Sequence, residues 1–364
     1  MEIKNEYPQK VRGLERNVAL DIARILAICA VVLTHSSGGF VERYELFSSE
    51  FIWGNIFDAI SRLGVPLFVM ISGALMLDET RNITPKTLMF KTLKTTILLL
   101  FFWSSFYACI DDVIIPALSS KEIDIKEFFI SVLQGPVHWW YMYMLIGLYC
   151  CIPFLRAFVR RENADLVLGF VAVSLAMQFT IPILRAAGRF YGRFNYFAEF
   201  VQRISGNFFL GYTPYFLAGW YIVHVGVDKR WQRRIIYGLG ITSLCITIAY
   251  VNFTKDYANA YENLNLFIFL YSVSVFVCIN NEFKFCFGEE VKKGIVSLST
   301  MSFGVYAIHM LFLNTIVYIA PYHSASGGNP VLYILGCAFL TLAVSFVWCC
   351  IVSKIPIVRK IVRM

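Results

Sequence analysis

Residues 18–37 read VALDIARILAICAVVLTHSS, a stretch in which Asp21, Arg24 and His35 interrupt an otherwise apolar run. About 20 predominantly apolar residues are enough for a helix to span a bilayer, so this stretch is expected to cross a membrane. It follows a polar, charged start that runs to Arg16 and continues without a small-residue cleavage site. A first membrane helix is therefore expected, not a removable leader. Working outward, nine more apolar stretches follow at about 51–77, 92–116, 138–157, 164–184, 206–226, 235–253, 263–280, 295–320 and 330–353. The expected fold class is all-α, a polytopic membrane helix bundle of about ten transmembrane helices. Several stretches exceed the minimum length, which implies tilt or protruding ends. Residues 1–17 and 354–364 read as short tails around one membrane domain, 18–353, with no appended soluble enzyme.

Composition supports this organisation. The 364 residues are 58% hydrophobic and 15% charged, against about a quarter charged in an ordinary soluble domain. The net charge of +8 comes from short loops at helix ends, with no basic face or tract, so nucleic acid is not expected as a partner and the lipid bilayer is. Of the 32 Lys and Arg, 22 fall on the side that holds the termini and eight on the other; the excess predicts that both termini are cytoplasmic. The outer segment 185–205, RAAGRFYGRFNYFAEFVQR in its core, departs from that rule with four arginines among aromatics. It reads either as an interfacial amphipathic segment or as an acceptor-binding surface that includes Arg189 and Arg193. Ten cysteines are present without CxxC spacing, so they read as small hydrophobes and no metal is expected.

Ionisable residues inside hydrocarbon are functional candidates by default. Arg24 and His35 are eleven positions apart, which returns to nearly the same helix face about 16 Å along the axis. Asp21, three residues before Arg24, can pair with its guanidinium. The alternative is a structural Asp–Arg pair with a hydrogen-bonded core histidine. Arg62 lies near mid-span in SRLGVPLFVMISGALML, too far from either interface to snorkel, and Ser72 and Gly73 allow close helix packing. Lys91 and Lys94 start the third span, where charge anchoring and ligand binding are both open. His138 and Trp139 open the fourth span, where an aromatic belt is the simpler reading. Tyr306 and His309 lie inside the ninth. No G-x-S-x-G elbow, Walker loop or HExxH pattern occurs.

The same residues resemble the acyltransferase-3 family of bacterial membrane proteins over nearly the whole chain. The most specific element is Arg24, ten residues and then His35, within LDIARILAICAVVLTH. RLGVPLFVMISG at 62–73, HWWYMYMLIGLY at 138–149, TPYFLAGWYI at 213–222 and SFGVYAIH at 302–309 follow in family order. Where many members have an arginine pair at the start of the third helix, this chain has Lys91 and Lys94. It looks most like the stand-alone members that O-acetylate surface polysaccharides, enterobacterial common antigen among them.

The resemblance implies a multi-pass protein of the bacterial cytoplasmic (inner) membrane. It also implies acyl-CoA, usually acetyl-CoA, as a co-substrate with no permanently bound cofactor, and a hydroxyl of an envelope glycan as acceptor. Under that implication, His35 is the base for the hydroxyl proton, either directly or through an acyl-imidazole. Arg24, Lys91 and Lys94 face CoA phosphates, and Arg62 orients Asp21 or stabilises an oxyanion. His138, Trp139, Tyr306, His309, Arg189 and Arg193 serve the acceptor side or support the site. A transporter or flippase of a lipid-linked sugar is the alternative, and it predicts inverted repeats that the sequence does not show. Oligomeric state stays open.

Overall fold

The computed structural model describes residues 17–81, 84–205, 211–283, 287–321 and 328–362. Among these residues it is a bundle of helices with no strand. Seven helices are long and apolar enough to cross a membrane, and an eighth span results if Ile125–Cys150 and Ile152–Phe158, bent by 52°, count as one. The two remaining expected spans fall on shorter helices. Thr213–Trp220 continues as a π-helical turn, Tyr221–Val225, and Leu266–Glu282 has 17 residues. Positions 206–210 of the expected sixth span lie outside the described residues. The expected apolar stretches are thus predominantly helical where they are described, and among the described residues seven or eight helices meet the length and composition of a spanning helix.

Local chemistry explains where the helices start and break. The side chain of Asn17 accepts the Ala19 N–H and opens helix Val18–Arg43. Thr84 does the same for Thr87 N–H at Pro85–Ala108, and Asn329 for Val331 and Leu332 at Pro330–Val352. Each cap satisfies donors that have no partner within the helix. The second span divides into Ser49–Ser61 and Gly64–Met76, with Arg62 at the junction. Pro66 has no N–H to give the Arg62 carbonyl four residues earlier, so the break falls where the chain places its mid-span charge.

Val18–Arg43 is the hub of the bundle. It packs against Ser49–Ser61, Gly64–Met76, Glu289–Ile319 and Pro330–Val352. Ala19, Ala23 and Ala27, one helical turn apart, are buried, and such small side chains let backbones approach. At Gly64, a Cβ would lie 3.1 Å from the Ala27 carbonyl oxygen and 2.9 Å from Val31 Cγ2. Asp21 meets Ser299 and His35 meets His309. Rising order on both helices means that the two run parallel.

The tightest crossing lies between Gly64–Met76 and Thr213–Trp220. A Cβ on Gly73 would collide with the Phe216 backbone, and one on Gly219 with the Met70 backbone. The two helices rest backbone on backbone through reciprocal glycines. Gly219→Leu is therefore expected to destabilise the purified protein by more than the roughly 1–3 kcal/mol of ordinary overpacking. Gly147→Leu, where nothing stands within 4 Å of an added Cβ, should leave the thermal melt nearly unchanged. Equal melts for the two variants would contradict this packing.

Candidate active site

A cavity of about 520 Å³ enters the bundle between Gly64–Met76, Pro85–Ala108, Trp140–Cys150 and Glu289–Ile319. Arg24, Arg81 and Lys91 line it together with Phe68, Tyr141 and Tyr306. Phe68 and Met76 both line the wall, and eight helical residues rise about 12 Å, so the cavity is long as well as apolar. Lys91 is brought to the cavity as the sequence suggests, whereas Lys94 is exposed and does not line it. Arg81 was missed, because in sequence it is one more basic residue of a short loop.

Asp21 is fully buried and holds Arg24. Arg24 Nη1 donates to Asp21 Oδ1 at 3.0 Å, and Ser299 Oγ donates to the same oxygen at 2.6 Å. The carboxylate is thereby fixed between two helices while the Arg24 side chain keeps 27% of its surface open. Asp21 positions a guanidinium.

Three imidazoles converge beyond Tyr306. His35 comes from the hub helix, His309 from Glu289–Ile319 and His138 from the one-turn helix Val137–Trp139. The ring centres of His35 and His309 are 5.3 Å apart, and those of His138 and His309 are 5.4 Å apart. His309 and His138 are buried; His35 is exposed. His309 Nδ1 meets the Tyr306 carbonyl at 2.6 Å. The Tyr306 hydroxyl donates to the His138 carbonyl, and the Tyr107 hydroxyl donates to the Ala307 carbonyl at 2.9 Å. His35 does not line the 520 Å³ cavity. It is connected to that cavity through His309 and Tyr306, whose rings are 5.9 Å apart.

The belt reading of His138 and Trp139 is corrected here. Trp139 is fully buried against Trp103 and Tyr306, and the outward side chains of this turn are Val137 and Trp140. The short helix at Val137–Trp139 turns His138 and Trp139 inward, a register that apolar counting does not resolve.

Arg62 is also corrected. It does not orient Asp21: its Nη2 donates to Asp58 Oδ2 at 2.7 Å, and its guanidinium lies 4.4 Å from the Tyr261 ring centre. Asp58 is 1% exposed, and Asp58 Oδ1 and Arg62 Nε are buried without a partner. Asp58 was missed, although its i,i+4 spacing to Arg62 was the available signal. Thr34 Oγ1 donates to Ser61 Oγ at 2.7 Å, which ties this pair to the turn that carries His35.

Arg189 and Arg193 are not brought to the imidazoles. Arg189 pairs with Asp256 at 2.9 Å and Arg193 lies 5.6 Å from the Tyr191 ring centre, in a segment whose Phe190, Tyr196, Phe197 and Phe200 are exposed. Among the described residues no group of three His, Cys, Asp or Glu could hold a metal ion.

A family model described as an acyltransferase domain matches residues 17–350. No curated protein and no solved structure matches the chain.

The ion pair yields a stability test. Removing one partner of a buried pair typically costs about 3–5 kcal/mol because the other charge stays behind, and the quarter exposure of Arg62 places this pair at the low end. Asp58→Ala should lower thermal stability by that amount, and adding Arg62→Ala should recover most of it. Additive losses in the double variant would show that the two side chains are not coupled.

Proposed function

We propose that this chain, which belongs to the acyltransferase-3 family, takes an acyl group, acetyl in the simplest case, from cytoplasmic acyl-CoA and transfers it to a hydroxyl of a cell-envelope glycan or its lipid-linked precursor. The observation that carries this reading is the cavity with Arg24, Arg81, Lys91 and Tyr306 in its lining, Tyr306 being in contact with the histidine cluster. Its volume is within the range of small-ligand sites, and its apolar length suits a pantetheine arm. Arg81, past the Met76 end of Gly64–Met76, and Lys91, early in Pro85–Ala108, suit CoA phosphates at that end through charge-assisted hydrogen bonds. The excess of Lys and Arg assigns that end to the cytoplasm.

His35 is then the base. It is the accessible member of the cluster, and a neutral imidazole has a ring nitrogen free to accept a proton. His35 takes the proton of the acceptor hydroxyl, and the oxygen attacks the thioester carbonyl. The C–S bond breaks, and the imidazolium returns its proton to the departing thiolate. Arg62, held by Asp58, supplies positive charge on the His35 side of the bundle, where an oxyanion would develop. The family membership favours acyl transfer over movement of a lipid-linked sugar.

His35→Ala should reduce transfer from radiolabelled acetyl-CoA by about 10²–10⁴-fold, the usual contribution of a general base, and leave acyl-CoA binding within a few fold of wild type. Arg81→Ala and Lys91→Ala should each weaken binding by about tenfold or more, the value of one charged hydrogen bond, while Lys94→Ala should not. A folded wild-type protein that binds no acyl-CoA would overturn the proposal.

A further inference from the structure

His309 is the most deeply placed of the three imidazoles, and its hydrogen bonding leaves one nitrogen unaccounted for. The Tyr306 carbonyl at Nδ1 is an acceptor only, so Nδ1 carries the proton and Nε2 is left as a lone pair. That Nε2 is buried without a partner. A buried acceptor left unmade costs about 1–3 kcal/mol, which a protein tolerates where the group has a task. Two rings stand within reach, His35 and His138. A hydrogen bond of about 2.9 Å between ring nitrogens places imidazole centres about 5 Å apart when in line, and the His35–His309 separation is 5.3 Å.

We propose that His309 is the positioning residue for His35, with its Nε2 lone pair accepting the ring N–H of His35, directly or through one water, and so presenting the other His35 nitrogen, free of hydrogen, to the acceptor hydroxyl. The inference rests on the reading of His35 as the base. It gives that base the third member that oriented bases use elsewhere, here a neutral imidazole whose tautomer is fixed by a backbone carbonyl. When His35 takes the hydroxyl proton, the N–H shared with His309 holds the imidazolium in place until the proton leaves with the thiolate. No proton is gained or lost by the pair over a cycle. Apo geometry is often looser than the working geometry, which accounts for a contact that is near in-line distance but unmade.

The groups that face this pair define its titration. His138 faces His309 from the turn Val137–Trp139, Tyr107 faces His138 from Pro85–Ala108, and Tyr306 is on the same helix as His309. Arg62, paired with Asp58, follows Ser61, which is hydrogen-bonded to Thr34 beside His35. The neighbouring helix Pro330–Val352 carries no charged residue.

The test combines activity with a direct view of the rings. In the full-length protein, His309→Phe should lower kcat by about 10²-fold with the KM for acetyl-CoA near wild type and the acid limb of the pH–rate profile displaced. His309→Gln, whose amide oxygen can accept the same N–H, should restore much of the rate. The chain has five histidines, so nitrogen-15 histidine resonances can be assigned by single substitution. The His309 Nε2 resonance should move in His35→Gln and stay in His138→Gln. The proposal is overturned if His309→Phe keeps the wild-type pH profile, if His309→Gln gives no recovery, or if the Nε2 resonance responds to His138 and ignores His35. If wild type transfers no acyl group, the proposed function fails, and the resonance arm still decides whether the two rings are paired.

Discussion

A charge held in hydrocarbon has to be answered from within the protein, because lipid supplies neither counterion nor hydrogen bond. The hub helix, Val18–Arg43, carries three such groups, and the bundle is arranged around their answers. Asp21 receives Arg24 from its own helix and Ser299 from Glu289–Ile319. His35 faces His309 on that same partner helix. The two helices are therefore held at two levels, one at each end of the polar stripe. Thr34 and Ser61 connect the stripe to the break in the second span, where Arg62 and Asp58 form their own pair. The alanines and glycines between these levels allow the backbones to come close enough for side chains to meet.

The same constraint separates what is fixed from what is left open. Asp21, Asp58 and His309 are nearly inaccessible and act on other side chains. Arg24, Arg62 and His35 keep exposed surface, so each pairing offers one accessible member backed by a buried one. The cavity reaches the imidazoles through Tyr306, which lines it and whose carbonyl meets His309 Nδ1. A substrate that displaces the Tyr306 ring would be sensed directly by the cluster.

The helices and the polar face of the hub were legible in the sequence because both follow from periodicity: apolar runs of span length, and Asp21, Arg24 and His35 at helical spacing. What was not legible depends on contacts between distant segments. His138 and His309 are separated by more than a hundred residues, and each has an ordinary local explanation. His138 was read as part of a belt because the tight turn at Val137–Trp139, which points it inward, leaves no mark in hydropathy. Arg62 was read as free to orient Asp21, although Asp58 one turn before it was in plain view; the Pro66 break that sets Arg62 at the junction of two helices was read as an ordinary kink. Arg81 was hidden by the rule that places basic residues in such loops. The exact limits of the eighth span were not legible either, since apolar composition does not report where a loop gives way to a helix: Leu266–Glu282 is offset by a few residues from the apolar stretch.

The central claim is that an acyl-CoA arm lies along this cavity with its sulfur end toward Tyr306. In a cysteine-free background, Ser302→Cys on Glu289–Ile319, beside Phe303 and Tyr306 in the cavity lining, can be offered CoA disulfide and a small uncharged disulfide at equal concentration, with adducts followed by intact mass. The account predicts that CoA disulfide modifies Ser302→Cys much faster than the small reagent does, and that this preference falls when Arg81 is replaced by Ala. Equal rates for the two reagents, or a small-reagent adduct with no CoA adduct, would contradict it.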